Sequence, residues 1–144
     1  MLISKTGYYI LKVALFFAFG SKESVSIKNL SRRLGISEKV LEQILLLLKN
    51  KGILASKRGP KGGYWLISDI SDRTVLEVLN MSGRKLDVMP LDPGRKGKVL
   101  DEIIEGIHAE IERNTSEYLK GLKMKDLLAL VKEKVTKKGL SYTI

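Results

Sequence analysis

The segment Ser56-Lys57-Arg58-Gly59-Pro60-Lys61-Gly62-Gly63-Tyr64-Trp65-Leu66 sets three cations, three glycines and a proline between two apolar runs, Ile53-Leu54-Ala55 and Tyr64-Trp65-Leu66-Ile67. No acidic residue occurs from Lys49 to Ser68. A glycine-rich turn lets the backbone approach another surface closely, because no Cβ intervenes. Guanidinium and ammonium groups at such a tip match phosphate oxygens. Arg58 is suited to a narrow groove of strongly negative potential, and Lys61 with the Gly62 amide and Lys57 to adjacent phosphates. A turn needed only for solubility is served as well by Asp-Gly or Asn-Gly.

A second set lies upstream. Leu41, Ile44, Leu45 and Leu48 recur at i, i+3, i+4 and i+7, the buried stripe of a helix. At about 100° per residue, Lys39 and Gln43 lie opposite that stripe and Glu42 on its flank. Gln bonds bidentately to adenine, Glu accepts from the cytosine amino group, and Lys takes guanine or a phosphate. An ordinary solvated helix face is the bland alternative for such a triplet. Leu46 and Leu47 also leave the stripe, and nothing in the sequence names what covers them.

The elements that must position these side chains are legible from caps and stops. Ser4 caps a helix from about Lys5 to Phe19 that is apolar on more than one side, as expected of a helix sandwiched between two layers. Ser26 opens a short helix, Ile27 to Leu34, which Gly35 ends. Ser37 caps the helix carrying Lys39, Glu42 and Gln43, which runs to about Asn50 with Gly52 beyond it. Two short helices followed by a cationic hairpin over Ile53 to Ile67 read as a winged helix-turn-helix. Lys28 on the second helix and Ser37 at the cap complete the candidate DNA-contacting set.

Charge follows the same division. Residues 1–68 hold 12 Lys+Arg against 3 Asp+Glu, whereas residues 69–144 hold 14 against 13. Nearly all of the +10 net charge therefore sits with the winged half, as expected of a module that meets phosphates followed by one that does not. A chain of 144 residues suffices for one domain with an appendage, burying roughly 68–70% of its unfolded surface.

The second half reads as helical. Arg73 to about Ser82 forms a fourth helix stopped by Gly83, and Arg84–Gly97, with Pro90 and Pro93, forms a flexible loop. A long helix from Lys98 to about Lys120 carries Leu100, Ile104, Ile107, Ile111, Asn114 and Tyr118 at heptad spacing, the signature of a helix–helix seam in which Asn114 can fix register. The competing reading is a helix packed back on its own domain. A final helix spans about Lys125 to Lys137 and ends at Gly139. The expected organisation is a winged helix-turn-helix domain over 1–83, the loop over 84–97, and a helical dimerisation region over 98–144.

Leu2-Ile3-Ser4 with Gly7 and Tyr9, then Ile36-Ser37-Glu38-Lys39-Val40-Leu41-Glu42-Gln43, then Arg58-Gly59-Pro60-Lys61-Gly62-Gly63-Tyr64 resemble the Rrf-two family of bacterial transcription regulators. The likeness runs from about Leu2 to Leu79 and more loosely to Leu128. It implies a dimeric winged-helix regulator on an imperfect palindrome; a repressor is the expected sense of regulation, though the sequence itself does not separate repression from activation. Glu42 and Gln43 would enter the major groove and Arg58 the minor groove, while the first and long helices build the dimer. Cluster-binding members place three cysteines in the loop corresponding to Arg84–Gly97; this chain has none, so an iron–sulfur sensor is not expected and no cofactor is implied. Lys61 stands where the family more often has a small residue.

Other chemistry finds little footing. Without cysteine, disulfides and zinc fingers are excluded. Asp101, Glu105, His108 and Glu112 make a helical stripe containing a Glu-x-x-His, able to ligate a metal but more often a solvated acidic face. No nucleophile, base and orienting group assemble, and no enzyme is expected. The apolar run Ile10 to Phe19 is interrupted by Lys12 and too short to span a bilayer, and no signal-peptide pattern precedes it, so a cytoplasmic location is expected. Three readings stay open: a sequence-specific regulator on double-stranded DNA with an unidentified effector or partner protein, a non-specific or RNA-binding winged-helix protein, and a protein-interaction module.

Overall fold

The computed structural model describes residues 4–20, 22–83 and 99–139. Three helices open the chain: α1 Lys5–Phe19, α2 Ile27–Leu34 and α3 Glu38–Asn50. Each starts after a serine whose hydroxyl accepts from the N–H three residues on: Ser4 from Gly7, Ser26 from Asn29 and Ser37 from Val40. These bonds satisfy amides that no helical carbonyl reaches. Gly35, at φ 66°, closes α2 in the left-handed region. An antiparallel hairpin follows, β1 Leu54–Lys57 and β2 Gly63–Leu66, with Leu54 opposite Leu66 and Lys57 opposite Gly63. The remaining helices are α4 Val75–Leu79, which tightens into a 3₁₀ turn over Asn80–Ser82, then α5 Val99–Gly121 and α6 Met124–Lys138. This is the mainly α, winged helix-turn-helix architecture with a long C-terminal helix.

The fourth helix begins two residues later than Arg73. Thr74 accepts from the Glu77 amide while the Glu77 carboxylate accepts from the Thr74 amide, a reciprocal capping box that fixes the start at Val75. The expected loop over 84–97, and Lys98, lie outside the described residues.

Ile10 and Val13 of α1, Leu30 of α2, Leu41, Leu45 and Leu48 of α3, and Ile53 and Leu54 at the start of the hairpin are fully buried together. Each such side chain contributes roughly 1.5–3 kcal/mol of burial. Lys12, which breaks the apolar run of α1, donates its Nζ to the Leu34 carbonyl at 2.7 Å and so satisfies an orphan carbonyl at the end of α2. The Arg33 guanidinium lies 4.8 Å from the Phe16 ring centroid, a second tie between α1 and α2.

The other side of α1 is met by α4, the 3₁₀ turn and α6, which explains why α1 is apolar on more than one side. Leu119 near the end of α5 and Met124 at the start of α6 join the same core. Backbone bonds lock this junction: Val75 N–H to Leu122 O at 2.8 Å, Met124 N–H to Arg73 O at 2.9 Å and Lys125 N–H to Ser71 O at 2.9 Å. Lys125 Nζ also lies 3.0 Å from Asp72 Oδ1, and this hydrogen-bonded carboxylate holds the ammonium above its ordinary pKa. Among the described residues, no helix is long and apolar enough to cross a membrane.

Candidate nucleic-acid interface

α3 presents Lys39, Glu42 and Gln43 to solvent, opposite the buried Leu41, Ile44, Leu45 and Leu48. At about 100° per residue, its outermost ridge is Lys39, Gln43, Leu46 and Asn50. Leu47 is half-buried against the core, whereas Leu46 is 57% exposed. Ser37 is exposed at the amino end, its hydroxyl engaged by Val40 N–H at 3.4 Å. Lys28 is exposed on α2.

The hairpin tip runs from Arg58 to Gly62, closed by a bond from Gly62 N–H to Gly59 O at 2.9 Å. Lys57, Arg58 and Lys61 are all exposed. A side chain at Gly62 would collide with the Lys57 carbonyl oxygen, so only glycine allows the chain to fold back this tightly. Gly63 has φ 152°, and a Cβ there would stand 2.6 Å from the Val25 carbonyl oxygen.

That approach is used. Val25 and Tyr64 exchange two backbone hydrogen bonds of 2.9 Å each, adding a third rung beside the hairpin. Ser24 Oγ donates to the Lys61 carbonyl at 3.4 Å, and Lys49 Nζ donates to Ser56 Oγ at 2.8 Å, tying the end of α3 to β1. The wing is thus braced from both the segment before α2 and the end of α3. Nothing in the types of Ser24, Val25 or Lys49 marks them as braces; the one signal for Val25 is the Gly62-Gly63 pair, which marks a close backbone approach without saying to what.

Among the described residues, the side chains of Lys39, Glu42, Gln43, Lys57, Arg58 and Lys61 take part in no hydrogen bond or ion pair within the chain. No bond joins the α3 ridge directly to the wing tip. Both are held through the scaffold, with their polar groups left available to an outside partner.

The candidate seam residues also reach solvent. Leu100, Ile104, Ile107, Ile111 and Tyr118 are between 36% and 73% exposed, and Asn114 is exposed among them. His108 sits 3.9 Å from Glu112, and among the described residues no group of three or more His, Cys, Asp or Glu side chains is placed to hold a metal ion.

The profile of the Rrf2 family, described as an iron-dependent transcriptional regulator, matches residues 3–133. ORF2 of Azotobacter vinelandii, a protein assigned as an HTH-type transcriptional regulator, is 30% identical over 133 residues, covering 90% of this chain and 80% of its own. The HTH-type transcriptional regulator IscR of Photorhabdus laumondii is 36% identical over 98 residues, covering 67% of this chain and 59% of that protein. This chain thus spans less than two thirds of that relative's length. Among solved structures, CymR, the global cysteine regulator of B. subtilis, superposes with a TM-score of 0.69 at 23% identity, over 90% of this chain and 98% of that one. That likeness speaks to the fold.

With no cysteine and a single histidine in 144 residues, this chain does not fit a thiolate-ligated cluster. The matched profile, the helix-turn-helix relatives and the braced cationic wing lead to one assignment: the chain belongs to the Rrf2 family of helix-turn-helix transcriptional regulators.

Proposed function

We propose that the protein is a homodimeric repressor that binds a palindromic operator, with α3 in the major groove and the wing in the minor groove, and that it responds to a signal other than an iron–sulfur cluster. Lys39, Glu42 and Gln43 read base edges, Arg58 enters the minor groove, and Lys28, Ser37, Lys57, Lys61 and the Gly62 amide hold phosphates. Residues 1–83 form the DNA-binding domain, 84–97 a connecting loop and 98–144 the dimerisation region. Leu100, Ile104, Ile107, Ile111, Asn114 and Tyr118 meet their counterparts in a second copy. A cytoplasmic location goes with this role.

The observation that carries the reading is the pairing of a braced, acid-free cationic wing with an α3 ridge whose polar side chains have no partner among the described residues. The exposed apolar stripe of α5 supports the dimer, because Ile and Leu at heptad spacing gain most when a second helix covers them. Selection from a random duplex pool with the full chain at near-physiological salt, followed by sequencing, tests it. A two-fold-symmetric motif is expected. Binding without enrichment turns the reading towards a non-specific or RNA-binding protein, and absence of binding towards a protein-interaction module.

A further inference from the structure

Leu46 is the one large apolar side chain on the outermost ridge of α3, and it is 57% exposed. Its neighbours one helical turn away on either side are Glu42, Gln43, Lys49 and Asn50, all polar and all exposed. A surface built to hold an apolar protein partner gathers several such side chains into a patch. Here a single exposed aliphatic group instead has, one turn to either side, side chains of types able to bond base edges or phosphates, of which Lys49 already donates to Ser56. The major groove of DNA offers one apolar feature of matching size, the C5 methyl of thymine. Helical side chains lean towards the amino end of their helix, so Leu46 covers the surface beside Gln43. Gln43 is the ridge residue whose amide fits adenine N6 and N7.

We propose that Leu46 is a specificity-determining residue that reads the C5 methyl of a thymine in the major groove, next to the adenine bonded by Gln43, so that the two together select an A·T step. This rests on the DNA-binding reading above. It adds a hydrophobic contact to a ridge otherwise read only through hydrogen bonds, and it gives the exposed leucine an occupant that exists only in the complex.

The test replaces each thymine of the selected operator, one position at a time, by deoxyuridine, which removes the methyl and leaves every hydrogen-bonding edge unchanged. Affinities of the full chain and of Leu46→Ala are measured by fluorescence anisotropy at fixed salt. One thymine per half-site is expected to matter: losing its methyl weakens the parent about fourfold, the size expected for one methyl group returned to water. Leu46→Ala should bind the thymine and uracil duplexes alike at that position and keep the parent's melting temperature, since the residue is exposed. If the parent binds its operator specifically but ignores every substitution, or if Leu46→Ala keeps the whole loss, the inference is overturned while the DNA reading stands. A parent that enriches no sequence overturns both, and that outcome is read without any variant.

Discussion

On the proposed docking, Arg58 and Gln43 are expected to behave differently when removed, because there one meets a groove shape and the other a base edge. In that docking, Arg58→Ala takes a cation out of the minor groove and should weaken operator binding roughly ten- to a hundredfold, and binding to random duplex by less. Gln43→Ala should cost about 1–3 kcal/mol at one base pair and relax the preference there, leaving other positions alone. Titrating both variants against operators altered at single positions separates the two. If both bound the operator like the parent, the docking of α3 and the wing would be wrong. Gly63 matters for a different reason. Its φ of 152° and the 2.6 Å gap to the Val25 carbonyl oxygen leave no room for a methyl, so Gly63→Ala must break the Val25–Tyr64 rung. A loss of about 1–3 kcal/mol is expected, seen as a lower melting temperature. Weaker operator binding should accompany it, since the wing loses one of its braces.

At the scale of elements, the three first helices could be read off the chain because each has its own punctuation. Ser4, Ser26 and Ser37 stand at the caps and each accepts the amide expected of it, while Gly35 ends α2 at positive φ. The α4 start was not legible in that way, since both Arg73 and Thr74 precede an apolar run and only the reciprocal bond with Glu77 decides between them. Nor was the role of Lys12, which as sequence only interrupted an apolar helix; its bond to the Leu34 carbonyl depends on how α1 lies across the end of α2. The wing was recognisable from glycine, proline and charge, but its third rung through Val25 required a contact 39 positions away. For α5 the periodicity gave the stripe and the structure gave its exposure, up to 73% at Leu100. A stripe that serves as a dimer seam should not tolerate charge. Ile104→Glu with Ile107→Glu is expected to halve the mass measured by light scattering and to weaken operator binding at least tenfold. The chain should still unfold in one transition, since both residues are exposed and lie outside its core.

For the whole molecule, charge and core divide the chain differently. By charge it splits near residue 68, with an excess of nine positive charges before and one after. By packing there is no such split: Leu119 and Met124 lie in one cluster with Ile10, Leu45 and Val78, and Val75, Met124 and Lys125 bond across the junction. Composition cannot show this, because burial of Met124 arises only when α6 returns to α1 from more than a hundred residues away. The two divisions make opposite demands on two measurements. Met124→Ala empties a fully buried site and should destabilise the entire chain by about 2–5 kcal/mol in a single denaturant transition, with no separate unfolding of residues 1–83. The salt dependence of operator binding should ignore Met124 and follow the winged half instead. Removing Lys57 or Lys61, both exposed, should lower the slope of log affinity against log salt by about one each. Removing Lys134 or Lys137 of α6 should leave it unchanged, although the formal charge lost is the same. Equal slope changes for both sets would mean that the protein meets DNA as a uniformly charged particle and that the wing is not its phosphate-binding edge.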